Sequence, residues 1–297
     1  MPCYSPLRAI RGQDGNVRIV KSSALFDFSV SCGRCIGCRL RYSQMWAIRC
    51  VHEAQLWPDN CAVTLTYSDE FLPARGSLEY ADFQKFLKRL RKYVSAHNDG
   101  RKVRFFMGGE YGEEGGRPHF HALLFNWDFA DKVVFQEREG KPHLWTSKAL
   151  DKLWPWGFAT IGEASFDSAA YIARYIVKKQ YGANAQSHYT KLDVSTGELF
   201  EICPEFAHMS LKPGVGLDWM RLYWRDVFAD LKVVSRGHKV PAPKYYLKYV
   251  SKLGDYDEKK LKAKLEMGKL WRDNTPRRLQ DKARVASARL GLSRRSI

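Results

Sequence analysis

No stretch of this 297-residue chain stays apolar for the ~18–20 residues that cross a bilayer. The opening residues, MPCYSPLRAIRG, lack the apolar core of a secretion signal. No long basic helix carries a clean apolar face that would lie on a membrane surface. A membrane partner is therefore not expected, and the chain is expected to stay in a reducing cytoplasm. There, cysteines serve as thiols or metal ligands, and their number here, seven, is odd. The phosphate-cradling pattern G-x-x-x-x-G-K-[ST] is also missing. Gly140-Lys141 and Gly268-Lys269 lack its context and its hydroxyl residue. Acidic residues are short: 32 Asp and Glu stand against 49 Lys and Arg, a net charge of +17. A polyanion is the partner such a balance implies, and nucleic acid is the commonest one. Apolar content, at 45%, is ordinary, which excludes global disorder and leaves room for one large domain or two small ones.

What is present centres on residues 103–125, VRFFMGGEYGEEGGRPHFHALLF. The pattern predicts two strands joined by a glycine-rich turn, with Gly108-Gly109 marking a bend or bulge. Alternation along the second strand puts His119 and His121 on one face, about 6–7 Å apart. Two imidazoles so placed can share a divalent metal. Glu110 ends the first strand and reaches the same face if the strands are neighbours. Glu113 and Glu114 are further candidates for a third ligand. A mixed nitrogen and oxygen site suits Mg²⁺, Mn²⁺ or Zn²⁺ and leaves positions open for substrate. The same pattern would equally suit a solvated strand that binds nothing.

Upstream, residues 1–30 read as an extended, irregular lead-in. Cys32, Cys35 and Cys38 follow in a C-x-x-C-x-x-C cluster. It can hold zinc, with Cys3, Cys50, His52 or Cys61 as a fourth ligand, or an iron–sulfur cluster, or it is a turn bearing reduced thiols. A helix is expected over about 38–56, with Arg49 and Glu53 as a surface i,i+4 pair. Residues 61–67, CAVTLTY, alternate as a strand. A helix through Val94, capped by Ser77, buries Phe83, Phe86, Leu87 and Leu90 and presents a basic opposite face. Residues 126–146 form a loop or hairpin, 147–154 a short helix and 157–163 a strand. Asp167 or Ser168 caps a helix reaching about residue 180. The order strand, helix, strand, strand, helix, strand, helix is an α+β layout: helices packed on a central antiparallel sheet. Residues 183–212 read as a loop or hairpin and 218–234 as a helix. The tail is helical and basic.

The helix after 163 carries YIARYIVKK. Positions i, i+4 and i+7 share a face, so Tyr171, Tyr175 and Lys178 line up. A phenol with a pKa near ~10 is a poor nucleophile at neutral pH unless a neighbouring cation favours the phenolate. Tyrosines at this spacing also serve as ordinary core residues.

VTLTY, GGRPHFHALLF and YIARYIVKK, in this order, resemble the three motifs of the HUH endonuclease superfamily. The doubled tyrosine, the cysteine cluster, the Trp46/Arg49 helix, PGVGLDW and PKYYLKY resemble the rolling-circle initiators of microvirus-type (gokushovirus-like) single-stranded DNA phages. That resemblance covers roughly residues 30–250. It implies an RRM-like HUH core over 61–182, a cysteine-cluster segment over 1–60 and a helical, basic extension over 183–297. It implies a site-specific nickase and strand transferase acting through a 5′-phosphotyrosine and leaving a 3′-OH primer. His119, His121 and Glu110 would bind Mg²⁺ or Mn²⁺. Tyr171 and Tyr175 would be alternating nucleophiles, positioned by Lys178 or by Lys179. The partners implied are single-stranded or melted origin DNA and a host helicase and polymerase, in the cytoplasm of a bacterial host. A relaxase or transposase of the same superfamily, or a non-catalytic basic nucleic-acid-binding protein, are the competing readings.

Overall fold

Alternating apolar strands and amphipathic helices can bury their apolar faces only by stacking in layers, and the chain does so around one large sheet. A computed structural model describes residues 3–20, 25–97, 100–112, 115–137, 143–178, 183–252, 256–257, 259–260 and 274–292. The side chains of 175–178, 183 and 184 lie outside that description. Close contacts group the chain into two compact units, residues 46–224 and residues 1–45 with 225–297.

The first 30 residues are more regular than the lead-in expected. β1 (Leu7–Arg11), β2 (Val17–Ile19) and β3 (Phe28–Val30) form a small antiparallel sheet with β1 in the middle. Of its strand residues only Ala9 is buried. The helix α1 (Ile36–Ala54) follows. Next come β4 (Asn60–Tyr67), α2 (Tyr80–His97), β5 (Arg104–Tyr111), β6 (Pro118–Phe125), β7 (Val133–Gln136), β8 (Leu144–Thr146), α3 (Lys148–Leu153), β9 (Gly157–Glu163) and α4 (Phe166–Lys178). After α5 (Ala183–Tyr189) lie β10 (Thr190–Leu192), β11 (Leu199–Glu201) and β12 (Phe206–Met209). The chain continues with α6 (Leu217–Asp230), a hairpin of β13 (Lys232–Ser235) and β14 (His238–Pro241), and α7 (Lys244–Val250). A last helix, Pro276–Leu292, is rich in arginine.

The large sheet has the order β12-β5-β6-β4-β9-β8-β7, with every neighbour antiparallel. This is the α+β architecture expected, with β12 as an edge strand drawn from a region expected to be a loop or hairpin. Val63, Leu65 and Tyr67 of β4 face one side. There they join Phe105, Met107, Phe120, Leu124 and Ile161 beneath Phe83, Phe86, Leu87 and Leu90 of α2 and Leu150 and Leu153 of α3. The other side carries Phe106, Leu123 and Phe125, covered by Trp46, Ala47 and Cys50 of α1 and by Ala169, Ile172 and Ala173 of α4.

Four local expectations are corrected. Gly108 and Gly109 make no bulge: β5 pairs with β6 without a register shift from Arg104 to Tyr111. The glycines leave room instead. A Cβ at Gly108 would stand 3.5 Å from Ile172 of α4, and one at Gly109 would crowd Phe206 and Leu78 at 3.1 and 3.2 Å. Ser77 caps no long helix, because α2 begins at Tyr80; its Oγ accepts the backbone N–H of Cys203 at 2.9 Å. The cap of α4 is Ser165, two residues before Asp167 and three before Ser168. Its Oγ accepts the Ser168 N–H at 3.1 Å, while Ser168 Oγ accepts the Ser165 N–H at 2.8 Å, a reciprocal box. Glu53 is fully buried rather than on the surface. It accepts from Arg104 Nε at 2.5 Å and from the Gly216 N–H at 2.7 Å, which ties α1 to β5 and to the turn before α6.

Candidate active site

Register does most of the assembly. Glu110 stands directly opposite His119 and Gly108 opposite His121 across the β5–β6 pair. Thr66 and Thr64 of β4 stand opposite the same two histidines on the other flank. Directly paired residues share a face, so these side chains meet on the side of the sheet that α1 and α4 cover.

One carboxylate oxygen binds the group together. Oε1 of Glu110 lies 2.7 Å from His119 Nε2 and 2.9 Å from His121 Nε2. The ligand atoms of the three residues all fall within 4.8 Å of one another, a spacing that one metal ion can bridge. The outer nitrogens are held as well. His119 Nδ1 lies 3.1 Å from the Arg117 carbonyl, and His121 Nδ1 lies 2.9 Å from Thr64 Oγ1. A carbonyl oxygen can only accept, so His119 Nδ1 carries a hydrogen, and with an ion bound Nε2 would offer its lone pair in place of the hydrogen bond it makes to Glu110. A metal-binding histidine is usually oriented in this way by a partner on its far nitrogen.

Burial pushes the Glu110 carboxyl up. The hydrogen bonds from His119 and His121, and their charge, outweigh burial and hold it below its ordinary value. The carboxylate is thus kept ionised, as a hard ligand must be. His119 and His121 keep 14% and 12% of their side-chain exposure, so the site is mostly buried but open to small ligands from solvent. The donor set therefore fits a divalent ion that keeps open positions.

The tyrosine helix comes to the same place. The Tyr171 ring meets the His121 ring edge-on, with centroids 5.2 Å apart at 88°. Arg174 lies 5.7 Å from the centre of the Tyr171 ring. Ile172, the next residue along, packs into the core between α4 and the sheet and sets the depth of the helix. Tyr175 and Lys178 belong to α4, but their side chains lie outside the described residues, and Glu113, Glu114 and Lys179 lie wholly outside them.

Thr64 went unassigned in the reading of the sequence. Strict alternation in VTLTY sets it opposite Val63 and Leu65, but only the pairing with β6 reveals that it meets His121. Arg117 is a second addition. Its carbonyl contacts His119 Nδ1, and its side chain donates to the Tyr67 carbonyl at 3.0 Å while pairing with Asp69.

The other compact unit holds a second group of ligand type, Cys3, Cys32, Cys35 and Cys38. Cys50 and Cys61, two of the alternatives for its fourth member, are buried elsewhere, and His52 is stacked on Trp219 at 3.5 Å. No helix among the described residues is long and apolar enough to cross a membrane.

The chain is similar to known proteins. The family model for replication-associated protein ORF2/G2P matches residues 60–180. The replication-associated protein VP4 of Bdellovibrio phage phiMH2K is 32% identical over 278 residues, which is 89% of this chain and 84% of that protein. The replication-associated protein ORF2 of Spiroplasma virus 4 is 34% identical over 229 residues, 73% of this chain and 66% of its own. The replication-associated protein ORF4 of Chlamydia phage 1 is 28% identical over 237 residues, 78% of this chain and 56% of its own. No solved structure matches.

Proposed function

The chain belongs to the family of phage replication-associated proteins, and from that premise we propose that it is a rolling-circle replication initiator. It nicks one strand of the origin at a specific site, holds the 5′ end as a phosphotyrosine and leaves a 3′-OH as primer. One observation carries the reading. A tyrosine ring stands 5.2 Å from a histidine ring of a Glu-His-His group that suits a divalent ion.

Glu110, His119 and His121 would hold Mg²⁺ or Mn²⁺. When bound, such an ion neutralises charge on the scissile phosphate and polarises it towards attack. Tyr171 attacks phosphorus in line with the leaving 3′ oxygen. The P–O3′ bond breaks, the phenol loses its proton to solvent, and the 3′ oxygen leaves as a hydroxyl once protonated. The 5′-phosphate stays esterified to the phenol. Tyr175, one helical turn on, is the second nucleophile and cuts the regenerated origin. The freed 3′-hydroxyl then attacks the phosphotyrosine at Tyr171 and closes the circle. Each step exchanges one phosphate ester for another, so no nucleotide cofactor is needed. Lys178, at i+7 from Tyr171, favours the phenolate.

Single-stranded or melted origin DNA is the substrate. Phe158 stands across from Thr66 on β9, in one row with His119, and is 48% exposed with Phe135 against it. Exposed aromatic rings beside a phosphate site suit stacking with unpaired bases. With no phosphate-cradling loop in the sequence, unwinding falls to a host helicase and synthesis to a host polymerase, in the host cytoplasm. The division at 60/61 and 182/183 belongs to the same proposal: residues 61–182 carry the chemistry and the flanks support it.

A labelled single strand bearing the origin, incubated with Mn²⁺, tests the mechanism. The expected product is an SDS-resistant protein–DNA adduct. It should vanish when Tyr171 and Tyr175 are both changed to Phe, and fall sharply in His121→Ala. An adduct of full yield from the double Phe variant overturns the proposal.

A further inference from the structure

The cysteine cluster takes no part in that chemistry, yet its geometry is specific. We propose that Cys3, Cys32, Cys35 and Cys38 form a closed tetrathiolate zinc site that staples the N-terminal sheet to the start of α1.

The four sulfurs lie within 4.8 Å of one another. Cys3 Sγ stands 3.5 Å from Cys32 Sγ and 3.8 Å from Cys35 Sγ, and all four residues are half-buried with free thiols. A tetrahedral ion with Zn–S bonds near ~2.3 Å sets its sulfurs about 3.8 Å apart. Two of the sulfur pairs are already near that spacing, and the rest lie within 4.8 Å. An iron–sulfur cluster distributes its cysteines over several irons and needs them farther apart.

Backbone N–H groups turn towards the sulfurs from both segments of the cluster. Tyr4 donates to Cys35 Sγ at 3.2 Å, Cys32 to Cys3 Sγ at 3.3 Å, and Arg34 and Cys35 to Cys32 Sγ at 3.4 and 3.3 Å. Amides aimed at sulfur favour thiolates, the form that binds metal. Gly33 makes the turn possible: its φ of 75° lies in the left-handed region, which lets two successive amides reach back to one sulfur. Four protein thiolates leave no position for substrate, so the site is structural rather than catalytic.

The need for a staple is visible in the same segment. β1, β2 and β3 bury one residue among them, Ala9. So small a core does not hold a sheet by itself, and bound metal supplies folding free energy directly. Cys3 is the residue that closes the loop, because it stands before β1 while the other three follow β3.

The test uses the full chain, purified under reducing conditions from zinc-supplemented cells. Native mass spectrometry should show a zinc ion per chain, and an organomercurial should release it to a colorimetric chelator. Release by a thiol reagent separates this zinc from any at Glu110, His119 and His121, which contain no sulfur. A His119→Ala/His121→Ala variant should keep the mercurial-releasable zinc, and Cys3→Ser and Cys35→Ser should lose it. Three results on the wild-type chain each overturn the proposal without reference to any variant. They are no mercurial-releasable zinc, iron in its place, or a mass deficit that reports disulfides.

Discussion

Thr64 shows how much a single hydroxyl can carry. Its Oγ1 lies 2.9 Å from His121 Nδ1, so it fixes which face of the imidazole is turned to Glu110 without touching any substrate. Thr64→Val keeps the shape and the β-branching and removes only that contact. Partners of this kind are typically worth 10–100-fold in metal affinity. Calorimetric titration with Mn²⁺ should therefore show binding weakened by about that factor, with thermal stability little changed. His52 makes a second prediction, on stability. It is buried against Trp219, and burial pushes its imidazole down from 6.5 to about 4. The folded state therefore resists a proton that the unfolded chain accepts. Stability is unaffected above 6.5 and falls as the pH drops from there towards 4, by roughly 3 kcal/mol in all. His52→Phe retains a ring against Trp219 and cannot titrate. Its urea midpoint should decline less than the parent's across that window.

Among the elements, α4 decides whether the tyrosine and the histidines meet. The helix starts at a serine box and lies against the sheet through Ala169, Ile172 and Ala173. Gly108 of β5 lies beneath Ile172 and leaves room there for one methyl group. A Cβ there would touch Ile172 Cγ2 and its carbonyl oxygen at 3.5 Å, ordinary contact. Gly108→Ala should accordingly leave adduct formation near the parent level. Gly108→Val adds two methyl groups with nowhere to go and must lift the helix. Adduct yield should then drop at least about tenfold, since a misplacement of ~1 Å at a reacting group costs up to 10²-fold in rate. Circular dichroism should remain that of a folded α+β protein. An unimpaired valine variant would mean that the depth of α4 does not set the position of Tyr171.

For the molecule as a whole, the excess of 17 positive charges governs encounter rather than chemistry. Binding of a single strand by phosphate contacts releases counterions, with a slope of log affinity against log salt of about −0.7 for each phosphate neutralised. Four or more contacts should give a slope of about −3 or steeper, measured by fluorescence anisotropy with an origin oligonucleotide. A slope near zero would point to recognition by stacking alone. The charge itself carries no information about origin sequence, because phosphates are alike at every position.

Alternation and helical spacing alone located β4, α2, β6, α3, β9 and α4, and they put His119 with His121 and Tyr171 with Tyr175 on shared faces. These are local periodicities of the backbone, so a single sequence displays them. Strand neighbours and register are not local. That Glu110 stands opposite His119, that Thr64 backs His121, and that Cys3 is the partner of Cys32, Cys35 and Cys38 all depend on chain segments far apart in the sequence. The four residues of β12 carry too little periodicity to mark a strand within a region that reads as loop or hairpin, and they become one by pairing with the edge of β5. Glu53 looked like a surface acid because helical spacing places it beside Arg49; burial against Arg104 and Gly216 is a property of the packed layers. Which chemical groups are present, and which of them share an element, follows from the order and spacing of the residues. Tertiary structure alone decided which faces meet, because the apolar area that closes one element on another belongs to the pair and to neither segment.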